Sequence, residues 1–311
     1  MESNELHAVT GAFGFSGKYI AQRLLAKGHR VITLTNSPDR KNAFNGEIKA
    51  FPLDFNDIKK LTASLKGVDV LYNTYWVRFN HKTFTHSIAV SNTLNLFKAA
   101  KAAGVKRIVH ISITNPDLAS PLEYFKDKAF LENTLIESGM SYSILRPAVI
   151  FGDEDILVNN IAWFLRNLPV FGIPGDGNYG IQPVYVEDLA DLAVVSGCSN
   201  DNYTINAVGP EKFTYREFVK TIGKIIGHNK KTVSMPPAVI YLTGRIAGII
   251  KKDIIITKEE LKGLMAGTLA VDSKPTCKTR ITEWAAMNAE TLGKNYANEL
   301  GRRKDRKKAY I

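Results

Sequence analysis

The stretch Leu6-His7-Ala8-Val9-Thr10-Gly11-Ala12-Phe13-Gly14-Phe15-Ser16-Gly17-Lys18 decides the architecture. Leu6 to Thr10 reads as a strand, and Lys18 to Lys27 reads as a helix that Gly28 closes as a C′ glycine. Between them the glycines stand at G-x-x-G-x-x-G spacing. One glycine lets the chain turn tightly out of the strand. A second lets backbone amides approach a pyrophosphate, and a third lets the helix pack closely on the sheet. The helix N-terminus adds free N–H groups and a partial positive charge. Gly11, Gly14 and Gly17, with Phe13 and Phe15 between them, are therefore the expected phosphate loop of a dinucleotide cofactor.

Outward from this loop, strands and helices alternate. Arg30 to Thr35, Ile48 to Leu53, Val68 to Asn73, Arg107 to Ser112 and Tyr142 to Arg146 read as strands two to six. His86 to Ala103 and Leu122 to Ser138 read as helices, each closed by a glycine, Gly104 and Gly139. The strands are short, rich in Val and Ile, and apolar along their length rather than alternating, as in strands buried on both faces of a parallel sheet. The order implies right-handed βαβ crossovers and an α/β fold with a doubly wound parallel sheet. A ligand is expected at the carboxyl ends of strands one and four.

Beyond residue 150 the pattern loosens. Gly180 to Tyr185 and Tyr203 to Asn206 read as short strands, and Glu187 to Ser196 and Tyr215 to Ile226 as helices. The expected organisation is a cofactor domain over 1–150 and a smaller α/β substrate lobe over 151–311.

Strand two ends Thr35-Asn36-Ser37, without the acid that would bind the adenosine ribose of NAD. Arg40 and Lys41 follow. A missing acid with cations nearby favours the 2′-phosphate, hence NADP(H) over NAD(H). Asn36, Arg40, Asp54 and Phe55 after strand three, and Asn73 at the end of strand four, complete the expected cofactor residues. Asp54 is placed to reach the adenine amino group.

Tyr124 and Lys128 lie one turn apart on one helix face. Their helix follows strand five, whose end carries Ser112 and Thr114. Here the sequence resembles the short-chain dehydrogenase/reductase superfamily in its extended or atypical branch. The resemblance rests on Gly11, Gly14 and Gly17, on Asp54, on Asn73-Thr74, on Tyr124 and Lys128, on Arg146-Pro147 with Phe151-Gly152, and on Pro183-Val184-Tyr185-Val186-Glu187-Asp188-Leu189-Ala190. The last two segments look like those of NAD-dependent epimerases and dehydratases. The nearest flavour is the atypical group that includes the 39-kDa accessory subunit of respiratory complex I.

The resemblance implies a Rossmann-type domain and hydride transfer to or from a small-molecule carbonyl or hydroxyl. Tyr124 would be the acid–base group and Lys128 would hold the nicotinamide ribose and favour tyrosinate. Ser112 or Thr114, with Thr114 favoured, would bind the substrate oxygen. Ile113 stands nearest the family's usual Ser/Thr position. The alternative is a non-catalytic NADPH-binding accessory or assembly protein.

The chain has 311 residues with a formal net charge of +11. Its two cysteines suggest neither a disulfide framework nor a metal site, and its six histidines contain no His-x-x-x-His pair, so no metal centre is expected. No signal peptide is apparent, and the longest apolar run, Pro237 to Ile250, is too short to span a bilayer. The expected place is the cytoplasm, with the membrane surface as a further possibility. The tail from Arg302 to Lys308 holds six basic residues and one acid. It reads as a solvated end or as a contact for an anionic surface. Pro236 to Gly267 reads as a core or homodimer helix of the small lobe, or as a peripheral membrane helix. No aromatic-interleaved basic stretch or helix-turn-helix pattern points to nucleic acid.

Overall fold

A computed structural model describes residues 5–309. In chain order the first elements are β1 (Leu6–Thr10), α1 (Phe15–Ala26), β2 (Arg30–Thr35), β3 (Lys49–Pro52), α2 (Ile58–Ser64), β4 (Val70–Asn73) and α3 (His86–Ala103). Then come β5 (Arg107–Ile111), α4 (Glu123–Glu137), β6 (Ser141–Pro147), β7 (Ile150–Phe151), α5 (Leu157–Asn167), β8 (Val170–Pro174), β9 (Gly180–Ile181) and β10 (Val184–Tyr185). The remainder is α6 (Val186–Gly197), β11 (Tyr203–Ala207), β12 (Phe213–Thr214), α7 (Tyr215–Ile225), β13 (Lys231–Met235), α8 (Pro237–Lys251), α9 (Lys258–Met265), α10 (Ile281–Met287) and α11 (Glu299–Lys304).

These form two compact units, residues 5–146, 189–205 and 306–309, and residues 147–188 and 206–305. The first is built on a seven-stranded sheet of order β11-β6-β5-β4-β1-β2-β3. Strands β1 to β6 pair parallel throughout. This is the doubly wound, Rossmann-type order with its switch between β1 and β4. The sheet is buried because β4 and β5 have no exposed residue and β2 has only Arg30. Leu34, Leu71, Leu96, Ile108, Leu135 and Ile144 form the core of one face, each fully buried.

The second unit is held by short strands and helices around Phe151, Ile173, Ile181 and Phe218, all fully buried. Here β7 and β10 pair in parallel, Ile150 against Val184 and Phe151 against Tyr185. Two segments that carried the resemblance, 30 or more positions apart in sequence, are thus neighbours in space. Asp188 accepts the N–H groups of Lys278 and Thr279 at 2.9 and 2.7 Å and the Thr279 hydroxyl at 2.9 Å, so its carboxylate fastens a loop.

Candidate cofactor and active site

Each glycine of the loop has a separate duty. Gly11 turns the chain with φ at +70°, the left-handed region that glycine adopts freely. Its N–H donates to the Leu34 carbonyl at 2.9 Å, and its carbonyl accepts from Gly14 at 2.8 Å. Gly17 sits where a β-carbon would lie 2.4 Å from the Gly11 carbonyl oxygen, so only glycine allows α1 this close to the loop. At Gly14 a β-carbon would meet the same oxygen at 3.2 Å, a tight but adjustable contact. Gly14 is also the N-cap of α1, and no side chain caps the helix there. The first-turn amides, which have no intrahelical acceptor, are left for an anion. Thr33 locks the turn, donating to the Val9 carbonyl at 2.9 Å and accepting from Ala12 N–H at 3.0 Å.

At the carboxyl ends of β2 and β3 a cleft of about 500 Å³ is lined by Asn36, Leu53, Asp54, Phe55, Lys60 and Asn92, among others. Asp54 accepts the Asn56 N–H at 3.2 Å and pairs with Lys60 at 3.3 Å. Phe55 lays its ring 4.6 Å from that of Tyr75. A second cleft, of about 290 Å³, is lined by Phe13, Lys18, Lys41 and Phe44. Asn36, Asp54 and Phe55 thus share one cleft, and Phe13 lines the other. Phe15, the first residue of α1, lies edge-on to Tyr19.

Arg40 is 9 % exposed, and its guanidinium donates to the Lys308 carbonyl at 3.0 Å. Lys41 N–H donates to the Lys307 carbonyl at 2.9 Å, and Arg306 donates to the Asn36 carbonyl at 3.4 Å. Residues 306–309 therefore dock on the loop after β2, rather than hanging as a solvated end. Asn73 is fully buried. Its side chain accepts from Thr10 Oγ1 at 3.3 Å and Tyr75 N–H at 3.1 Å, and its amide meets His110 Nδ1 at 3.0 Å. Thr74 N–H closes on Thr10 Oγ1 at 2.8 Å. Asn73 acts as a peg across the switch point.

Lys128 is 1 % exposed, with its Nζ donating to the Ile111 carbonyl at 2.8 Å and lying 4.3 Å from the Trp76 ring centroid. Burial drives this lysine down to about 7, against a smaller opposing pull from Glu132. Tyr124, one turn earlier, is half-buried, edge-on to Trp76 at 5.8 Å and to His86 at 5.5 Å. Ser112 and Thr114 are both buried. The Ser112 Oγ makes no hydrogen bond, whereas Thr114 is already engaged. Trp76 and His86 were not among the residues expected by role. They lie in and after the loop following β4, and nothing local ties them to Tyr124.

The cradle fits a dinucleotide by its own geometry: a left-handed Gly11, a helix end without a cap, and an adjacent cleft. A family model described as NAD(P)H-binding matches residues 11–160. The first unit has a Rossmann-type fold, and it is over this part of the chain that the family likeness falls. It is 23 % identical over 286 residues to the mitochondrial NADH dehydrogenase [ubiquinone] 1 alpha subcomplex subunit 9 of Arabidopsis thaliana, spanning 85 % of this chain and 71 % of that one. Among solved structures it is similar to an NADPH-dependent quinone oxidoreductase of Escherichia coli complexed with NADPH. The TM-score is 0.72 and identity 22 %, covering 90 % of this chain and 99 % of the other. A UDP-glucose 4-epimerase of Thermotoga maritima gives a TM-score of 0.64 at 20 % identity, covering 92 % and 97 %. Among the described residues no helix is long and apolar enough to cross a membrane.

Proposed function

We propose that the protein is an NADP(H)-dependent oxidoreductase that reduces or oxidises a small-molecule carbonyl or hydroxyl. The observation that carries this reading is the buried Lys128 of α4, one turn from Tyr124, with its Nζ on the last carbonyl of β5. A lysine this deep is costly to keep unless its charge is used. When bound, the nicotinamide supplies or takes up the hydride. Tyr124 moves a proton at its hydroxyl oxygen to or from the substrate oxygen. Lys128 favours tyrosinate and orients the ribose, and Trp76 shields the ammonium from water. Ser112, with its hydroxyl lacking a partner, is the better candidate to hold the substrate oxygen. The preference for NADP(H) rests on Asn36 in place of an acid, with exposed Lys41 and Arg306 nearby. The test is NADPH oxidation against a panel of quinones, aldehydes and nucleotide sugars. Turnover that Tyr124→Phe abolishes supports the reading, and turnover that it leaves intact rejects it.

A second reading, a cofactor-holding accessory protein at a membrane surface, is favoured by α8. Val239, Leu242, Ile246, Ile249 and Ile250 are 42 to 75 % exposed and fall on one helical stripe. Only Gly248 of this helix is buried, so it is not a core helix. Exposed Arg245 and Lys252 accompany the stripe, the composition of an interfacial helix. Flotation with anionic vesicles tests it, and a concentration-dependent dimer without flotation assigns the stripe to a second copy. The cytoplasm, with this peripheral contact, is the proposed place.

A further inference from the structure

At the end of the sheet opposite the glycine loop, Glu5, His7 and His29 converge. Each offers one ligand atom, and these atoms lie within 4.8 Å of one another. His7 is on β1 and fully buried, His29 immediately precedes β2, and Glu5 precedes β1. The two histidines are far apart in sequence. They meet because β1 and β2 pair in parallel with Leu6 opposite Arg30. Their ring centroids are 4.3 Å apart.

We propose that Glu5, His7 and His29 bind a divalent transition-metal ion, of the zinc class, that fastens the start of β1 to the turn before β2. Two observations carry this independently of the spacing. His7 Nε2 and His29 Nδ1 are both buried and both lack a hydrogen-bond partner. Two buried ring nitrogens without a partner in one such cluster call for a group that fills them. His7 is also held from behind, its Nδ1 lying 3.2 Å from the Tyr72 hydroxyl. A proton on Nδ1 given to that oxygen leaves the Nε2 lone pair pointing at the site, as outer-shell partners do for metal-bound histidines.

The one ligand pair on β1's side of the cluster stands at a separation that suits a small ion. Tetrahedral zinc with bonds of about 2.0–2.1 Å separates its ligand atoms by about 3.3 Å. Glu5 Oε2 and His7 Nε2 are 3.6 Å apart. Two imidazoles and a carboxylate match the borderline ions Zn²⁺, Ni²⁺ and Cu²⁺ rather than Ca²⁺ or Mg²⁺. Asp69, which accepts the Leu6 N–H at 2.8 Å and pairs with Lys106, adds negative charge nearby. Glu5 is exposed, so an ion can enter from solvent and keep a water in its fourth position.

The test uses the untagged full chain, stripped with EDTA and dialysed, then titrated with Zn²⁺ by calorimetry. One Zn²⁺ per chain is expected, with a rise in Tm on binding. Glu5→Gln and His29→Gln lie outside the strands and are expected to leave the Tm of the metal-free protein unchanged. Each should weaken Zn²⁺ binding at least tenfold and remove the Tm rise. Co²⁺ in place of Zn²⁺ should show visible absorption from nitrogen and oxygen ligands in the wild type and lose it in His29→Gln. Absence of stoichiometric Zn²⁺ binding to the folded wild type would overturn the proposal. So would binding that either variant retains at full strength.

Discussion

Lys128 places an ammonium where the protein can least solvate it, and that has two measurable consequences. Its folded value of about 7 lies well below the 10.5 of an unfolded lysine. Between those values the unfolded chain binds more protons, so this group makes stability rise with pH from about 7 towards 10. Below 7 both states are protonated and the full burial cost is present. Lys128→Met should therefore raise the Tm at pH 7 by a few degrees, about 1 kcal/mol or more. The advantage should shrink as the pH approaches 10. Thermal melts of both proteins at pH 7, 8.5 and 10 check this, and a variant less stable at pH 7 would mean the lysine is structural. The same variant should lose turnover. Tyr124→Phe should lose about 10²–10⁴ in rate with cofactor affinity kept, since only the hydroxyl goes. Single-turnover NADPH absorbance measures that loss. The Tyr124 and Lys128 pair was legible because both side chains share one helix turn. Trp76, which covers Lys128, was not legible by role, because its partner lies on another element.

At the scale of elements, the glycine loop separates binding from folding. Gly17→Ala forces a β-carbon into backbone, so the variant should lose several kcal/mol or fail to fold. Gly14→Val has only the Gly11 carbonyl to meet at 3.2 Å. It should fold and yet lose dinucleotide affinity, because the side chain stands at the open end of α1. Calorimetry with NADPH and circular dichroism on both variants check this, and normal affinity in a folded Gly14→Val protein would move the cofactor elsewhere. In the same way, Ile249→Glu with Ile250→Glu should abolish vesicle flotation and leave the melt unchanged, since both side chains are more than 70 % exposed. The spans β1, β2 and α3 match the sequence reading end to end, because an apolar run defines each strand and Gly104 closes the helix. The helix α2 was missed: it is only 7 residues long, and its start depends on the Asp57 side chain accepting from Lys60 N–H. The run from Gly180 to Tyr185 is two strands rather than one. Pro183 has no N–H to continue a ladder, and the halves pair with different partners, β12 and β7.

At the scale of the whole molecule, the charge of +11 is not spread evenly. The basic tail returns to the loop after β2, and Arg40 holds it there through the Lys308 carbonyl. Arg306→Ala should weaken NADPH binding about tenfold while leaving NADH nearly unchanged, and Arg40→Ala should act the same way by releasing the tail. Titrations with both cofactors at two salt concentrations check it, because a phosphate contact weakens with salt. Equal effects on both cofactors would remove the tail from the 2′-phosphate. The doubly wound order was legible from strand alternation alone. The tail contact was not, since no periodicity or spacing links positions so distant.

That contact joins residues 268 positions apart in the chain. On a ribosome adding roughly 5–20 residues each second, the loop after β2 emerges about ten seconds to a minute before its strap exists. During that interval the sheet strands β1 to β6 can pair, while the loop has Arg40 and Lys41 but not yet Arg306. A nascent chain therefore pairs its sheet before this contact exists, and on the reading proposed above the tail's share in cofactor choice comes last.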